Sequence, residues 1–313
     1  MRGIVLADDT HLSAAMVGGQ PLICYSIATL LRARIKAILV VAPPAGLARL
    51  QHLLGDGARW GIGLSYAMLP ASAAPAQRPL QALRLAAEFI GGQRAAALAA
   101  NEILHGGALT SQLPHAAMLT KGALLLCRRM DAARVGEDDA RADFDRVRFD
   151  QNGKATAIAR GTGEVHDANE MHEANDMRDA HETHDANETH DAQSIGATIG
   201  LRFYDASVAA RARALPDDAA LADLHQHYLD DGALRVAMLR DQTARLRVAD
   251  ADALTVADAS LRAAERRAGA KPCCADEIAW RAGLIDDRRL LALADAADDD
   301  YARYLRRLVE TEA

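Results

Sequence analysis

Lysine is nearly absent from this 313-residue chain, which has only Lys36, Lys121, Lys154 and Lys271. Arginine therefore carries almost all of the positive charge. Aromatic residues make up only 4% of the chain, so its core must be built mainly from alanine, leucine, isoleucine and valine. Four cysteines, Cys24, Cys127, Cys273 and Cys274, show no CxxC spacing, which argues against a zinc site and for reduced thiols. No apolar run approaches the length of a membrane-spanning helix, and no secretory signal opens the chain. A cytoplasmic protein without membrane contact is expected. Basic excess is also lacking. A net charge of −7 and a pI near 5.9 argue against nucleic acid as a partner.

Half of the residues are hydrophobic, enough to bury one large core or a core and a half. Gly3 to Ala7 is a short apolar run that predicts a buried first strand. Pro21 to Leu31 predicts the helix that follows, and Asp8 to Gln20 the loop between them. Ala37 to Val41, Gly63 to Leu69 and Ala95 to Ala99 predict further strands. Helices fall between them, one around Leu47 to Leu54 and one over Leu80 to Phe89. Such alternation implies an α/β fold with a largely parallel sheet and helices on both faces. Leu124 to Cys127, Arg146 to Phe149 and Ala155 to Ile158 predict more strands, with Gln151-Asn152-Gly153 as a hairpin turn. Beyond Ile195, Thr198 to Tyr204 and Leu234 to Leu239 read as strands. Leu221, Leu224 and Tyr228 mark one side of a helix. His225 and His227 on that helix point apart and are not expected to share a metal. Leu254 to Arg267, Asp287 to Ala296 and Asp298 to Glu310 predict helices, with Tyr301, Tyr304, Leu305 and Leu308 as core.

One stretch breaks this pattern. From His166 to Gln193 the chain reads HDANEM, HEANDM, RDAHET, HDANET, HDAQ, a six-residue repeat. It has no apolar periodicity and many carboxylates, so residues 164–193 are expected to be a disordered insertion. Its five histidines, His166, His172, His181, His184 and His190, also suggest a weak metal-binding tract. A six-residue step turns a helix by about 240°, so they would not line one face.

Several segments carry a family resemblance: MRGIVLA (Met1 to Ala7), QPLICYSIATL (Gln20 to Leu30), LLGDGARWGIGLSY (Leu53 to Tyr66) and FIGG (Phe89 to Gly92). It continues through FDQNGKATAI (Phe149 to Ile158), IGLRFYD (Ile199 to Asp205) and DEIAW (Asp276 to Trp280). In order and spacing these resemble the glucose-1-phosphate thymidylyltransferases, over almost the whole chain. The resemblance implies a Rossmann-like nucleotidyltransferase sheet over residues 1–240, with 241–313 as a helical cap that contributes to oligomer contacts. It also implies thymidylyl transfer from dTTP to glucose 1-phosphate, assisted by Mg²⁺.

The residues at the family's functional positions have changed. The family follows Leu6-Ala7 with a glycine-rich GGxGTRL loop, whereas this chain has Asp8-Asp9-Thr10-His11-Leu12. The loop is about ten residues shorter by spacing, and the catalytic arginine and lysine are lost with it. One carboxylate about 5 Å from a phosphate charge, at an effective dielectric of about 20, repels it by roughly 3 kcal/mol. The family's LGDN falls at Ala99 to Glu102, which puts Asn101 in a metal aspartate's place. Its WLDTGT falls at Arg245 to Asp250, which puts Arg247 in the other's place. The thymine-reading glutamine falls at Leu69, its partner glycine near Arg78, and the EEKP motif at 159–162, which includes Arg160. Gln81, Gly106, Gly200 and Asp223 match family positions. The expected substrate pocket is thus a vestige made of Leu6, Ala7, Asp8, Gln81, Asn101, Gly200 and Arg247, with no catalytic or metal residue. The function expected is a non-catalytic family member, with three roles open: a binding module, an assembly partner of itself or of an active copy, or no selected role. The alternatives are an active nucleotidyltransferase with relocated groups, and a metal-binding protein that uses the repeat.

Overall fold

The short apolar runs pair into one sheet, and what flanks each strand decides its burial. The computed structural model describes residues 1–119, 121–129, 146–150, 152–159, 194–240, 243–297 and 299–312. The first part of the chain runs β1 (Arg2–Leu6), α1 (Thr10–Ser13), β2 (Met16–Val17), β3 (Gln20–Pro21), α2 (Leu22–Arg32), β4 (Ala37–Ala42), α3 (Pro44–Leu54) and β5 (Gly63–Met68), with a 3₁₀ turn at Ala58–Trp60. Next come α4 (Arg78–Leu85), α5 (Ala87–Ile90), β6 (Ala95–Ala99), β7 (Glu102–His105), α6 (Leu109–Ala116), β8 (Ala123–Arg129), β9 (Arg146–Phe149), β10 (Ala155–Ala159) and β11 (Ser194–Tyr204). Last are α7 (Val208–Ala214), α8 (Leu221–Asp230), β12 (Leu234–Met238), β13 (Ala244–Arg247), α9 (Ala251–Ala268), α10 (Ala275–Arg281), α11 (Asp287–Asp295) and α12 (Asp299–Glu312).

Strands β5, β4, β1 and β6 pair in parallel, with β1 between β4 and β6. β11 then joins β6 antiparallel, and β8 runs along most of β11's other edge. The first half of β11 also pairs with β9, which carries β10. β12 pairs with β8 in parallel. Helices cover both faces. One face packs α2, α6, α9 and the last three helices into a core with Val5, Val40 and Phe203. The other packs α4, α7 and α8 against Ile4, Leu39 and Tyr204. The expected α/β sheet with helices on both faces is what forms. Tyr301, Tyr304, Leu305 and Leu308 are core residues, and they merge with the core beneath β1.

The cap region is pinned by charge as well as by burial. Asp276 is fully buried at the start of α10, and Arg59 grips it through Nε–H to Oδ1 at 2.9 Å and Nη2–H to Oδ2 at 2.6 Å. The Tyr301 hydroxyl donates to the same Oδ2 at 3.0 Å. Because Arg59 sits in the turn before β5, this one carboxylate ties α10 and α12 to the parallel half of the sheet.

Local expectations fail where the signal was short. The stretch Asp8 to Gln20 is not an open loop, since it forms α1 and the β2–β3 hairpin. The helix expected over Leu80 to Phe89 is broken at Ala86 into α4 and α5. A strand, β13, precedes the helices of the cap stretch. The four cysteines are free and buried. His225 is buried, and its Nε2 lies 2.9 Å from the Tyr204 hydroxyl. The hexapeptide repeat, residues 164–193, and Arg160 lie outside the described residues. Among the described residues, no helix is long and apolar enough to cross a membrane.

Candidate functional site

In an open α/β sheet, ligands are held beyond the carboxyl ends of the parallel strands. Leu6 and Ala7 end β1 there and are buried. Their backbones are tied to both neighbouring strands, by Ala7 N–H to the Val41 carbonyl and Ala100 N–H to the Leu6 carbonyl, each at 2.8 Å. The chain then turns outward at Asp8. Asp9 caps α1, its Oδ1 accepting the Leu12 N–H at 2.9 Å. Thr10 is buried, and α1 lies so close to α3 that a Cβ on Gly46 would fall 1.9 Å from the Thr10 Oγ1. A capped helix has therefore replaced the phosphate-cradling loop. Within it the Leu12 N–H donates to the Asp9 side chain, the Ser13 N–H to the Asp9 carbonyl and the Ala14 N–H to the Thr10 carbonyl.

The charge expected at this mouth is modified by a partner that the sequence did not reveal. Arg78 Nη1 donates to Asp8 Oδ1 at 2.5 Å, linking the end of β1 to the first turn of α4. Asp8 is thus a paired carboxylate rather than a bare one, and the repulsion expected from it is reduced. Both partners keep substantial exposure, so the pair contributes no more than about 1 kcal/mol to stability. Gln81 lies on the same helix, one turn further on, and Leu80 and Leu83 hold that helix against Ile4 and Leu6.

Asn101 and Arg247, the two positions that the resemblance assigns to metal aspartates, lie close together in the fold. β7 and β13 pair antiparallel, with Arg247 opposite Glu102 and Arg245 opposite Leu104. Val248 N–H donates to the Asn101 carbonyl at 3.0 Å, which extends the pairing past the strand end. Asn101 and Arg247 are therefore neighbours. Beside them lies Glu102. Glu102 is 4% exposed, and Arg245 clasps it with Nε–H to Oε2 at 2.9 Å and Nη2–H to Oε1 at 2.8 Å. Gly200 completes the nest. It holds φ at +84°, and a Cβ there would come within 3.1 Å of Glu102 Cγ and Oε1. Arg202, two residues on, turns back to donate from Nη1 to the Gly200 carbonyl at 2.8 Å.

Of the seven expected pocket residues, Leu6, Ala7 and Asp8 form one connected group, with Arg78 as its link to the helix that bears Gln81. Asn101, Gly200 and Arg247 form a second group around Glu102. Leu6 joins the two through Ala99, its partner in the β1–β6 register. Arg78, Glu102 and Arg245 were missed as a set. Strand alternation would have found the last two, because in an antiparallel pair Glu102, Leu104, Arg245 and Arg247 share one face.

The magnesium ion that the family resemblance implies does not fit this donor set. Asn101 offers a neutral amide, and the adjacent carboxylate, Glu102, already has both oxygens held by a guanidinium. A dication would also face the side of the sheet that carries Arg245 and Arg247. Among the described residues, no three His, Cys, Asp or Glu side chains converge to hold a metal. Asp250 is the cap of α9, accepting the Ala253 N–H at 2.8 Å.

Comparison with known proteins places the chain among relatives of one kind. The nucleotidyl transferase family model matches residues 9–158. The glucose-1-phosphate thymidylyltransferase of Mycolicibacterium smegmatis is 31% identical over 328 residues, covering 100% of both chains. The enzyme of that name from Neisseria meningitidis is 29% identical, covering 99% of this chain and 100% of its own. A Bacillus anthracis crystal structure, assigned to the same enzyme and holding a sucrose, superposes with a TM-score of 0.62 at 19% identity. That match covers 84% of this chain and 95% of the other, and it shows the fold.

Proposed function

Because this chain belongs to the glucose-1-phosphate thymidylyltransferase family, we propose that it is a non-catalytic member of it, a scaffold that keeps the nucleotidyltransferase sheet without thymidylyl transfer. The observation that carries this reading is the Glu102–Arg245 pair. Transfer of a nucleotidyl group depends on positioning and on cations set against the triphosphate. Here the carboxylate beside the metal position is spent on an internal guanidinium, and the loop that would cradle phosphate is a capped helix.

The name these relatives share supplies the reaction against which this chain is measured. Attack by the phosphate of glucose 1-phosphate on the α-phosphate of dTTP would place a tetra-anion beyond β1. Asp8, Asp9 and the α1 helix occupy that region. Arg78 is bound to Asp8, and no lysine precedes Lys36. The role that remains is assembly, with a second copy or with an active family member, in the cytoplasm. Size-exclusion chromatography with multi-angle scattering tests that part.

Nucleotide binding tests the site itself. A ligand that binds only the folded state raises stability as RT ln(1 + [L]/Kd). Millimolar dTTP is expected to leave the melting temperature unchanged. A shift that corresponds to micromolar affinity would overturn the reading, since it would require backbone donors free to meet phosphate.

A further inference from the structure

A second concave surface lies away from the β1 mouth, between α6 and the ledge formed by β8 and β12. It is a groove of about 1090 Å³. The register places Arg235 beside Leu124 and Ala237 beside Leu126, so these four share the sheet face that forms its floor. The wall is α6 and the residues after it, with Gln112 Nε2 donating to the Met238 carbonyl at 3.2 Å to hold helix and strand together. Met118 stands on the rim, 70% exposed.

The charge along this groove is of one sign. Among the described residues, Lys121, Arg235 and Arg240 line it, and no Asp or Glu does. Among the described residues none of the three cations is held in an ion pair, in a chain whose net charge is −7. They are strung out rather than convergent. Lys121 precedes the level of Arg235 by three residues, about 10 Å of extended chain. Arg240 lies five residues beyond Arg235, about 16 Å along a segment kept against β8 by Leu239 N–H to the Cys127 carbonyl at 2.8 Å. A lone phosphate fits a point where cations meet, whereas cations spaced over about 26 Å fit an extended ligand with charges at intervals. The leucine floor and the bare methionine add apolar contact for a backbone and its methylenes. Long nucleic acid is disfavoured by the overall negative charge. The outer edge of β12 is occupied where Val236 N–H meets the Gly153 carbonyl at 2.8 Å, so the ligand would lie on the sheet face and not extend the sheet.

We propose that the α6–β8–β12 groove is a docking site for an extended acidic segment of a partner protein. Charge complementarity carries this assignment, whether or not the β1 mouth is catalytic. The test is fluorescence anisotropy of a labelled oligoglutamate of about ten residues, long enough at roughly 3.3 Å each to span the groove. Binding that weakens as salt rises is expected, with a loss of about tenfold in the Lys121→Glu/Arg235→Glu double variant. The neutral Lys121→Gln/Arg235→Gln variant repeats the test with less charge disturbance, and a thermal melt confirms that both are folded. Equal affinity in folded wild-type and variant protein, or no binding at low salt, would overturn the proposal. Pyrophosphate that binds at the groove while the peptide does not would also overturn it, and would mark a small-anion site. Tighter peptide binding after deletion of residues 164–193 would assign the groove to the chain's own acidic repeat and remove the partner from the account.

Discussion

Replacing Arg245 by alanine tests whether the Glu102–Arg245 pair is part of the fold. Glu102 is buried, and both of its oxygens depend on that guanidinium at 2.8 and 2.9 Å. Removing one partner of a buried pair leaves an uncompensated charge, at a cost of about 3 to 5 kcal/mol. At about 2.1 cal/mol/K per residue, unfolding of a chain this long carries an entropy near 0.66 kcal/mol/K, so a loss of about 4 kcal/mol lowers the melting temperature by about 6 °C. The paired replacement Glu102→Gln with Arg245→Met removes both charges while keeping much of the volume. It should restore most of the loss, since apolar or neutral substitutes for a buried pair are often neutral in stability. Urea unfolding of the wild type, both single variants and the double variant gives the coupling directly. A loss below about 1 kcal/mol in Arg245→Ala, the range of an exposed pair, would refute the reasoning. Glu102 would then be free to serve a ligand.

Four further outcomes follow from other parts of the molecule. Arg59→Ala should lower stability by about 3 kcal/mol, the low end for a buried pair, because the Arg59 side chain is 41% exposed while Asp276 is not; a change within about 0.5 kcal/mol would mean that apolar packing alone holds the cap. Burial pushes the Asp205 carboxyl up, but hydrogen bonds from the Ser207 hydroxyl, the Gly122 and Ser207 N–H groups and the Tyr228 hydroxyl outweigh it and hold the pKa below its ordinary 3.8. Its stabilisation should therefore be complete above pH 3.8 and lost as pH falls through the lower folded value, and Asp205→Asn should flatten that acid limb of the stability curve, an unchanged limb counting against the assignment. Asp8→Gly with Asp9→Gly should raise dTTP affinity only modestly, because the lysine stays absent while Arg78 is released, and an equilibrium titration that shows a rise beyond a hundredfold would contradict this. Deleting residues 164–193, a stretch without apolar periodicity, should leave the melting temperature nearly unchanged, and a large loss would show that the repeat packs on the core.

The strands that were legible in the sequence are those buried on both faces. β1, β4 and β6 are continuous apolar runs because each has neighbours on both edges and helices above and below, which removes any need for alternation. Shorter pieces escaped. α1 has four residues, too few for a period to show, and it is held by its Asp9 cap and by contact with Gly46. The break between α4 and α5 falls at Ala86, where no glycine or proline marks it. α6 carries Pro114 inside it, which masks a helical signal that the structure satisfies nonetheless. The pairings of the candidate site were not legible. Family spacing singled out Asn101 and Arg247 separately, and the β7–β13 register places them as neighbours. The same spacing could not show that Arg245 reaches back to Glu102, or that Arg78 reaches Asp8. Both contacts join residues distant in the chain, 143 and 70 positions apart, and depend on strand register and helix placement.

Pyrophosphate release from dTTP and glucose 1-phosphate in the presence of Mg²⁺, measured on purified wild-type protein, bears most directly on the claim that this family member does not transfer thymidylyl groups. Release no greater than in a protein-free blank is predicted, because the carboxylate beside the metal position, Glu102, is held by Arg245 and the phosphate loop is a capped helix. Mg²⁺-dependent release that disappears in a folded Glu102→Gln variant would contradict the account.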